Sequence, residues 1–430
     1  MTTDATALII LLAAFFGLIL IRVPIAVALI AASVTCGLYL DIPLVVLLQK
    51  MVSGLNSFTF LAVPFFIIAG ELMSDGGMSD KIIRLADAVV GKVRGGLAMV
   101  NVLASMLFGG ISGSSVADVS AIGTFLIPLM KKKGYPADFA TAVTVSGSVQ
   151  GIIIPPSQNM IYYALAAGGL SISKLFIAGY IPGILFGCSL MTVCYVIAVL
   201  KKFPRGDTYS LRQSLRIFLD AIAGLFVIFI IIGGILFGIF TATESAAVAS
   251  VYGLIITVFV YRSLGPRDVL NVFLRSLKTL SMIIAIIGAS SVFAFLLAWL
   301  KVPVMVSAFF TSVSSDPLVV MLMVNLLLLV LGMLVDMGIL ILLMTPILLP
   351  VVTAVGFDPI HFGIIMMVNL GIGLCTPPVG TSLFVGCSIA RISIEDAVKG
   401  FTPFYLTMLA ILTLIILVPE LSLWLPSKMR

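Results

Sequence analysis

Two pairs of adjacent prolines, Pro155-Pro156 and Pro377-Pro378, interrupt long apolar runs, and they stand 222 positions apart. The same shift carries Pro128 onto Pro350, Gly134 onto Gly356, Gly110 onto Gly332 and Ser171-Ile172 onto Ser393-Ile394, with no gap between 128 and 172. A single match arises readily by chance. Several at one offset, a proline pair among them, mark an internal duplication. Each pair also removes two amide donors and disfavours helix at the residue before it, so each run must break.

The runs are membrane-sized. With 61% hydrophobic and 10% charged residues and a mean hydropathy of +1.28, the chain is too apolar throughout for a soluble core. Apolar stretches at about 5–21, 24–40, 57–74, 137–167 and 174–200 recur at about 217–240, 244–262, 279–300, 358–390 and 401–425. Their lengths suit a hydrocarbon layer of about 30 Å. The first follows Asp4 rather than a basic segment, and Arg22-Val23-Pro24 follows it in place of a cleavage site. It reads as a crossing, not a signal peptide.

Each half also holds a longer segment, 95–131 or 317–350, apolar on both sides of a glycine-containing centre. An amphipathic stretch precedes it, 80–94 in the first copy and the uncharged 302–315 in the second. Arms of about 14–18 residues make roughly 21–27 Å of helix, which suits a re-entrant hairpin. The expected fold is an all-α polytopic membrane protein of two repeats. Repeat 1 occupies 1–200, with hairpin 1 at about 95–131 and a broken helix at 137–167. Repeat 2 occupies 217–430, with hairpin 2 at about 317–350 and a broken helix at 358–390.

Five crossings per copy is an odd number, so the second copy enters from the opposite side. Charge placement agrees. With the N-terminus outside, 19 of the 24 basic residues fall in inner loops, and only Lys50, Lys174, Lys301, Lys428 and Arg430 fall outside. KKKGYP at 131–136 corresponds to VTAVGFD at 352–358, which carries no basic residue. Trp299 and Trp424 stand at outer ends, where aromatic belts lie.

In hydrocarbon, carbonyls freed by a break cost several kcal/mol each unless something satisfies them. A break therefore persists where the backbone faces protein, water or a ligand. Its carbonyl ends suit a cation and its amide ends an anion. Around the first break stand Pro155, Pro156, Ser157, Gln158 and Asn159, with Ser157 placed to cap the next half-helix. Around the second stand Thr376, Pro377, Pro378, Thr381 and Ser382. The centres of the long segments add Gly110, Ser112, Gly113, Ser114 and Ser115, and then Gly332, Asp336, Met337 and Gly338. Hydroxyls and backbone oxygens on small residues suit a hard monovalent cation.

Asp118, Asp336 and Glu244 are the acids that would titrate in a proton-coupled carrier. The ordinary alternatives are a satisfied polar turn for Asp336 and a helix-start acid for Glu244. Five cysteines lie in apolar runs without metal spacing and read as buried thiols. The chain shows no P-loop, and its loop-confined basic residues suggest no nucleic-acid partner. A rival from another class is an intramembrane serine protease, since Gly110-Ile111-Ser112-Gly113 has the G-x-S-G form and His361 is the sole histidine. The depth of Ser112 in hairpin 1 and the outer-edge position of His361 oppose it.

Residues 63–128, with GIIIPPSQNMIYY, GIFTATESAAVASVYGL and DPIHFGIIMMVNLGIGLCTPPVGTSLFV, resemble the large membrane subunit of TRAP transporters, the tripartite ATP-independent periplasmic carriers. The resemblance implies an elevator-type, sodium-driven secondary carrier of the bacterial inner membrane, with no enzymatic step and no cofactor besides Na+. It implies a mobile domain, about 95–168 plus 317–390, sliding past a scaffold made of the remainder. Two partners are implied. A soluble periplasmic binding protein delivers an organic anion, such as sialic acid or a C4-dicarboxylate. A small four-helix membrane subunit packs alongside, expected here as a separate chain because nothing precedes the first run. Carried onto this sequence, tip 110–115 with break 155–159, and tip 332–338 with break 376–382, each form one Na+ site, and the anion lies between them. Met337 stands where a small polar residue would coordinate better, so backbone carbonyls are the expected ligands there.

Inversion makes a direct prediction. Cysteines introduced at Gly134 and Gly356 react with membrane-impermeant thiol reagents from opposite faces of the membrane. Labelling of both from one compartment contradicts the topology.

Overall fold

The computed structural model describes residues 5–206 and 209–429; Asp4, used against a signal peptide, and Arg430, counted among the outer basic residues, lie outside the described residues. The first copy runs α1 (Ala5–Leu20), α2 (Ile25–Tyr39), α3 (Leu44–Leu55), α4 (Ala62–Asp75), α5 (Met78–Val90), α6 (Gly96–Ser112), α7 (Ser115–Asp118), α8 (Thr124–Lys132), α9 (Ala137–Ser148), α10 (Gln150–Ile153), α11 (Gln158–Ala166) and α12 (Ile172–Leu200). The second runs α13 (Leu211–Leu236), α14 (Ala242–Ile255), α15 (Pro266–Trp299), α16 (Val302–Val313), α17 (Pro317–Gly332), α18 (Met337–Ala354), α19 (Pro359–Leu374), α20 (Thr381–Ala390) and α21 (Ile394–Leu417), with the short α22 (Glu420–Leu423) after it. Adding 222 carries the start of α7 onto that of α18, the end of α8 onto that of α18, the start of α9 onto that of α19, and the start of α12 onto that of α21. The duplication read from prolines and glycines thus runs through the helical order.

Matched caps set matched starts. Ser171 accepts from the Lys174 amide at 3.3 Å, and its repeat mate Ser393 accepts from the Asp396 amide at 3.2 Å. Asp316 and Asp358 cap α17 and α19, each with proline at the first helical position. Thr241 and Glu244 form a reciprocal capping box at the start of α14, which is the ordinary role for Glu244.

Three details depart from the sequence reading. The third crossing of repeat 1 is not one stretch at 57–74 but α3 and α4, whose mate is the single 34-residue helix α15. Ser157 occupies the N-cap position of α11, yet its hydroxyl makes no capping bond. Four cysteines are buried, but Cys188 is exposed. Lipid is as apolar as a core, so an apolar run alone does not reveal which of its faces packs inward.

Six of the described helices are long and apolar enough to cross a membrane, or seven if the pair bent by 48° at the first proline break counts as one. The two long segments fold as helical hairpins. α6 turns into α7 through Gly113-Ser114, and α17 turns into α18 through residues 333–336. The helices before the breaks sit at the centre: every residue from Phe139 to Ser148 in α9, and from His361 to Leu374 in α19, is buried. α19 is apolar on nearly every face, and the buried hydroxyls of α9 bond back to its own carbonyls, so both belong inside.

Hairpin arm and broken helix meet through glycine in both copies. A Cβ at Gly373 would lie 2.8 Å from the Cα of Gly332, and one at its mate Gly151 would lie 3.1 Å from the Cα of Gly109. Asparagines clamp the same pairs. Asn101 Nδ2 donates to Thr144 Oγ1 at 2.7 Å, and Asn369 Nδ2 donates to Asn325 Oδ1 at 2.7 Å. In a bilayer such close packing and interhelical bonding replace the hydrophobic drive.

G373A therefore forces backbone apart and destabilises the protein by about 1–3 kcal/mol. G17A, where nothing lies within 4 Å of the added carbon, is neutral or slightly stabilising. Thermal unfolding in detergent checks the contrast.

Candidate functional site

Each hairpin tip rests on the break of its own repeat. At Gly113 the backbone takes φ +63°, and a Cβ there would lie 2.9 Å from the Pro156 carbonyl oxygen and 3.1 Å from the Gln158 amide nitrogen. Only glycine meets both demands without strain. Gly110 faces the Pro155 carbonyl, with a Cβ position 3.3 Å away. In the second copy, Gly332 abuts the helix leading into the break, and the Val379 amide donates to the Met333 carbonyl at 3.1 Å.

The carbonyls at the breaks find donors in the same way twice. Tyr180 on α12 donates to the Pro155 oxygen at 3.3 Å, and Tyr405 on α21 donates to the Cys375 oxygen at 2.6 Å. Each hydroxyl comes from the long helix that follows the break. Thr376 spends its hydroxyl on the Ile372 carbonyl at 2.7 Å. Both Pro-Pro bonds are cis.

The two repeats also exchange contacts. Ser115 Oγ lies 2.6 Å from Ser148 Oγ and 2.7 Å from Ser382 Oγ, joining tip 1, the helix before the first break and the helix after the second. Reciprocally, a Cβ at Gly338 of tip 2 would lie 3.6 Å from the Tyr162 ring, which follows the first break. Ser112 donates to Asp118 Oδ1; Asp118 is fully buried, and its Oδ2 has no partner among the described residues. Asp336 caps α18, its Oδ1 accepting from the Gly338 amide at 2.9 Å. The hydroxyls of Ser157 and Thr381 are buried without partners among the described residues.

A cavity of about 170 Å³ lies where these elements converge. Of the residues singled out in the sequence, Ser114, Ser115, Gln158, Asn159, Asp336, Met337 and Gly338 line it. Gly110, Ser112, Gly113, Pro155, Pro156, Ser157, Gly332, Thr376, Pro377, Pro378, Thr381 and Ser382 do not line it; the glycines and prolines shape the backbone behind it. Tyr162, Ile283, Ile286 and Leu342 are among the other residues of the wall and were not legible as site residues. Tyr162 follows Gln158 and Asn159 by one helical turn, a spacing that points to it. The isoleucines belong to α15 and carry no signal in sequence. Asp336 is the only charged residue among those lining the cavity.

Asp118 and Glu244 stand outside the cavity. Ser112 and His361, the pair a protease would need, have separate partners: Ser112 bonds Asp118, and His361 Nδ1 lies 2.6 Å from Ser422 Oγ.

Residues 12–421 match the family described as "Tripartite ATP-independent periplasmic transporter, DctM component". The chain is 43% identical to the Salmonella typhimurium protein YgiK over 98% of its own length and 97% of that protein. It is 36% identical to the 2,3-diketo-L-gulonate TRAP transporter large permease protein YiaN of Escherichia coli, over 98% of this chain and 99% of that one. It is 40% identical to the C4-dicarboxylate TRAP transporter large permease protein DctM of Pseudomonas aeruginosa, over 88% of each. Among solved structures, the YdaH transporter of Alcanivorax borkumensis matches with TM-score 0.65 at 13% identity, over 89% of this chain and 90% of that one, which shows a shared fold. The chain belongs to the DctM component of the tripartite ATP-independent periplasmic transporters, as a multi-pass inner-membrane permease subunit and not an enzyme.

Proposed function

We propose that this permease carries an organic anion inward, coupled to sodium, by an elevator movement. One observation carries the coupling: the central cavity holds one carboxylate, Asp336, and no lysine or arginine among its lining residues. Two like charges about 6 Å apart repel by about 3 kcal/mol at an effective dielectric of about 20. An anionic substrate there requires compensating cations. The tip-and-break pairs on either side, 110–115 with 155–159 and 332–338 with 376–382, offer backbone oxygens, hydroxyls and helix ends suited to Na+.

The moving body comprises about 95–168 and 317–390. Bonds between the repeats support its rigidity: the Ser115–Ser382 contact, Lys131 Nζ donating to the Ala390 carbonyl at 2.7 Å, and Cys375 Sγ directed at the Val145 carbonyl at 3.5 Å. Against it the scaffold presents the apolar Ile283 and Ile286, a surface over which a body can slide. A small four-helix membrane subunit and a periplasmic binding protein complete the carrier. The substrates named for relatives, a C4-dicarboxylate and a diketo sugar acid, support a cargo among small carboxylates.

The buried Asp118, with one oxygen unpartnered, favours a second reading in which a proton accompanies or replaces a sodium ion. One experiment separates the two. In proteoliposomes holding the complex, replacing sodium with choline at fixed pH abolishes acid uptake, and D118N retains sodium-driven uptake within about threefold. Uptake indifferent to sodium contradicts the proposal. Loss of uptake in D118N, with normal assembly and a lost response to a pH gradient, favours the proton.

A further inference from the structure

Beside the central cavity lies a second one of about 530 Å³. The two share Ser114, Val116 and Gln158 as walls. Its far side is scaffold: Glu71, Ser74 and Asp75 from α4, and Arg275, Lys278 and Thr279 from α15. Gly70 lets α4 approach tip 1, since a Cβ there would lie 3.3 Å from the Ile111 carbonyl oxygen. The charge pattern of the loops puts this end of α15 on the inner side. The second cavity is therefore the inner vestibule of the first.

Its charges are unequally engaged. The Arg275 guanidinium closes on Asp75, with Nε also 3.7 Å from Glu71 Oε2. Lys278 has no ion-pair partner among the described residues. Membrane lysines near helix ends commonly reach past the lipid to water. Here the helix face argues otherwise. Arg275, Lys278 and Thr279 share one face and line the vestibule, whereas Leu274 and Leu277 form the outward stripe, 56% and 58% exposed.

Resting on the organic-anion reading above, we infer that Lys278 is an exit subsite that takes the carboxylate of the substrate as it leaves the central cavity. The acids on α4 hold Arg275 away from the path. A single solvated ammonium binds a carboxylate weakly, which suits a group that must release its cargo. Two free cations would retain it. The interaction adds to uptake by drawing the anion inward past Ser114 and Gln158, and it leaves capture from the outer side untouched.

Two measurements on the intact complex test this. With C188A as background, S74C places a reporter thiol in the vestibule wall. K278Q lowers the ratio of its reaction rates with anionic and cationic methanethiosulfonates at least threefold, and K278R preserves it. In proteoliposomes, with D-gluconate and succinate as probes, K278Q lowers the maximal sodium-driven uptake of the transported acid several-fold. The half-saturating external concentration stays unchanged, and K278R restores the rate. An unchanged reagent ratio, unchanged uptake, or an equal change in external half-saturation overturns the subsite. So does an effect present in liposomes with anionic lipid and absent with purely zwitterionic lipid, which assigns the lysine to headgroups. Failure of the unmodified complex to transport any acid instead overturns the carrier reading itself.

Discussion

A backbone carbonyl freed inside hydrocarbon must find a donor, and the centre of this molecule is organised around that requirement. Two proline pairs open two helices at matched positions. Tyr180 and Tyr405 satisfy carbonyls at the breaks from the helices that follow, and glycines bring the hairpin tips against the remaining backbone. Ile152 to Ser157 at the first break are buried throughout, whereas the second break, where Pro378 and Val379 are exposed, is held by the Tyr405 hydroxyl and by the Val379 amide bonding the Met333 carbonyl.

That requirement also draws elements of both duplicated halves to one cavity. Each tip contacts its own break, and each also reaches an element of the other repeat, Ser115 toward Ser382 and Gly338 toward Tyr162. The polar groups available to a ligand consequently come from both copies at once. Their sum is acidic, through Asp336, with hydroxyls and amides but no basic group facing the central cavity. An anion carrier with such a wall depends on cations bound beside it, and the coupling proposed here follows from that charge balance rather than from any single ligand. The basic residues lie on the inner approach, where Arg275 is held by two acids and Lys278 is not.

The duplication, the two breaks and the two tips were legible because proline, glycine and serine leave backbone signatures that survive in a uniform apolar background. Seven of the residues they flagged line the cavity. What escaped depends on convergence in space. Ser115 and Ser382 are 267 positions apart, and nothing local in either marks the other as partner. The donors Tyr180 and Tyr405 are not repeat mates in register, so the shift of 222 that finds the prolines passes over them. The division of one crossing into α3 and α4, and the outward face of Cys188, were hidden for another reason. Apolar side chains satisfy lipid and core equally, so composition fixes neither helix ends nor facing.

The account stands on the meeting of the two repeats at the centre, and the serine contact tests it most directly. With the native cysteines removed, S115C and S382C are introduced together and the membranes are treated with a mild oxidant. A disulfide linking peptides from the two halves, found by mass spectrometry of the unreduced digest and absent in either single variant, is the expected result. Failure to form it in protein that folds and assembles normally would place the tips apart and contradict the shared site.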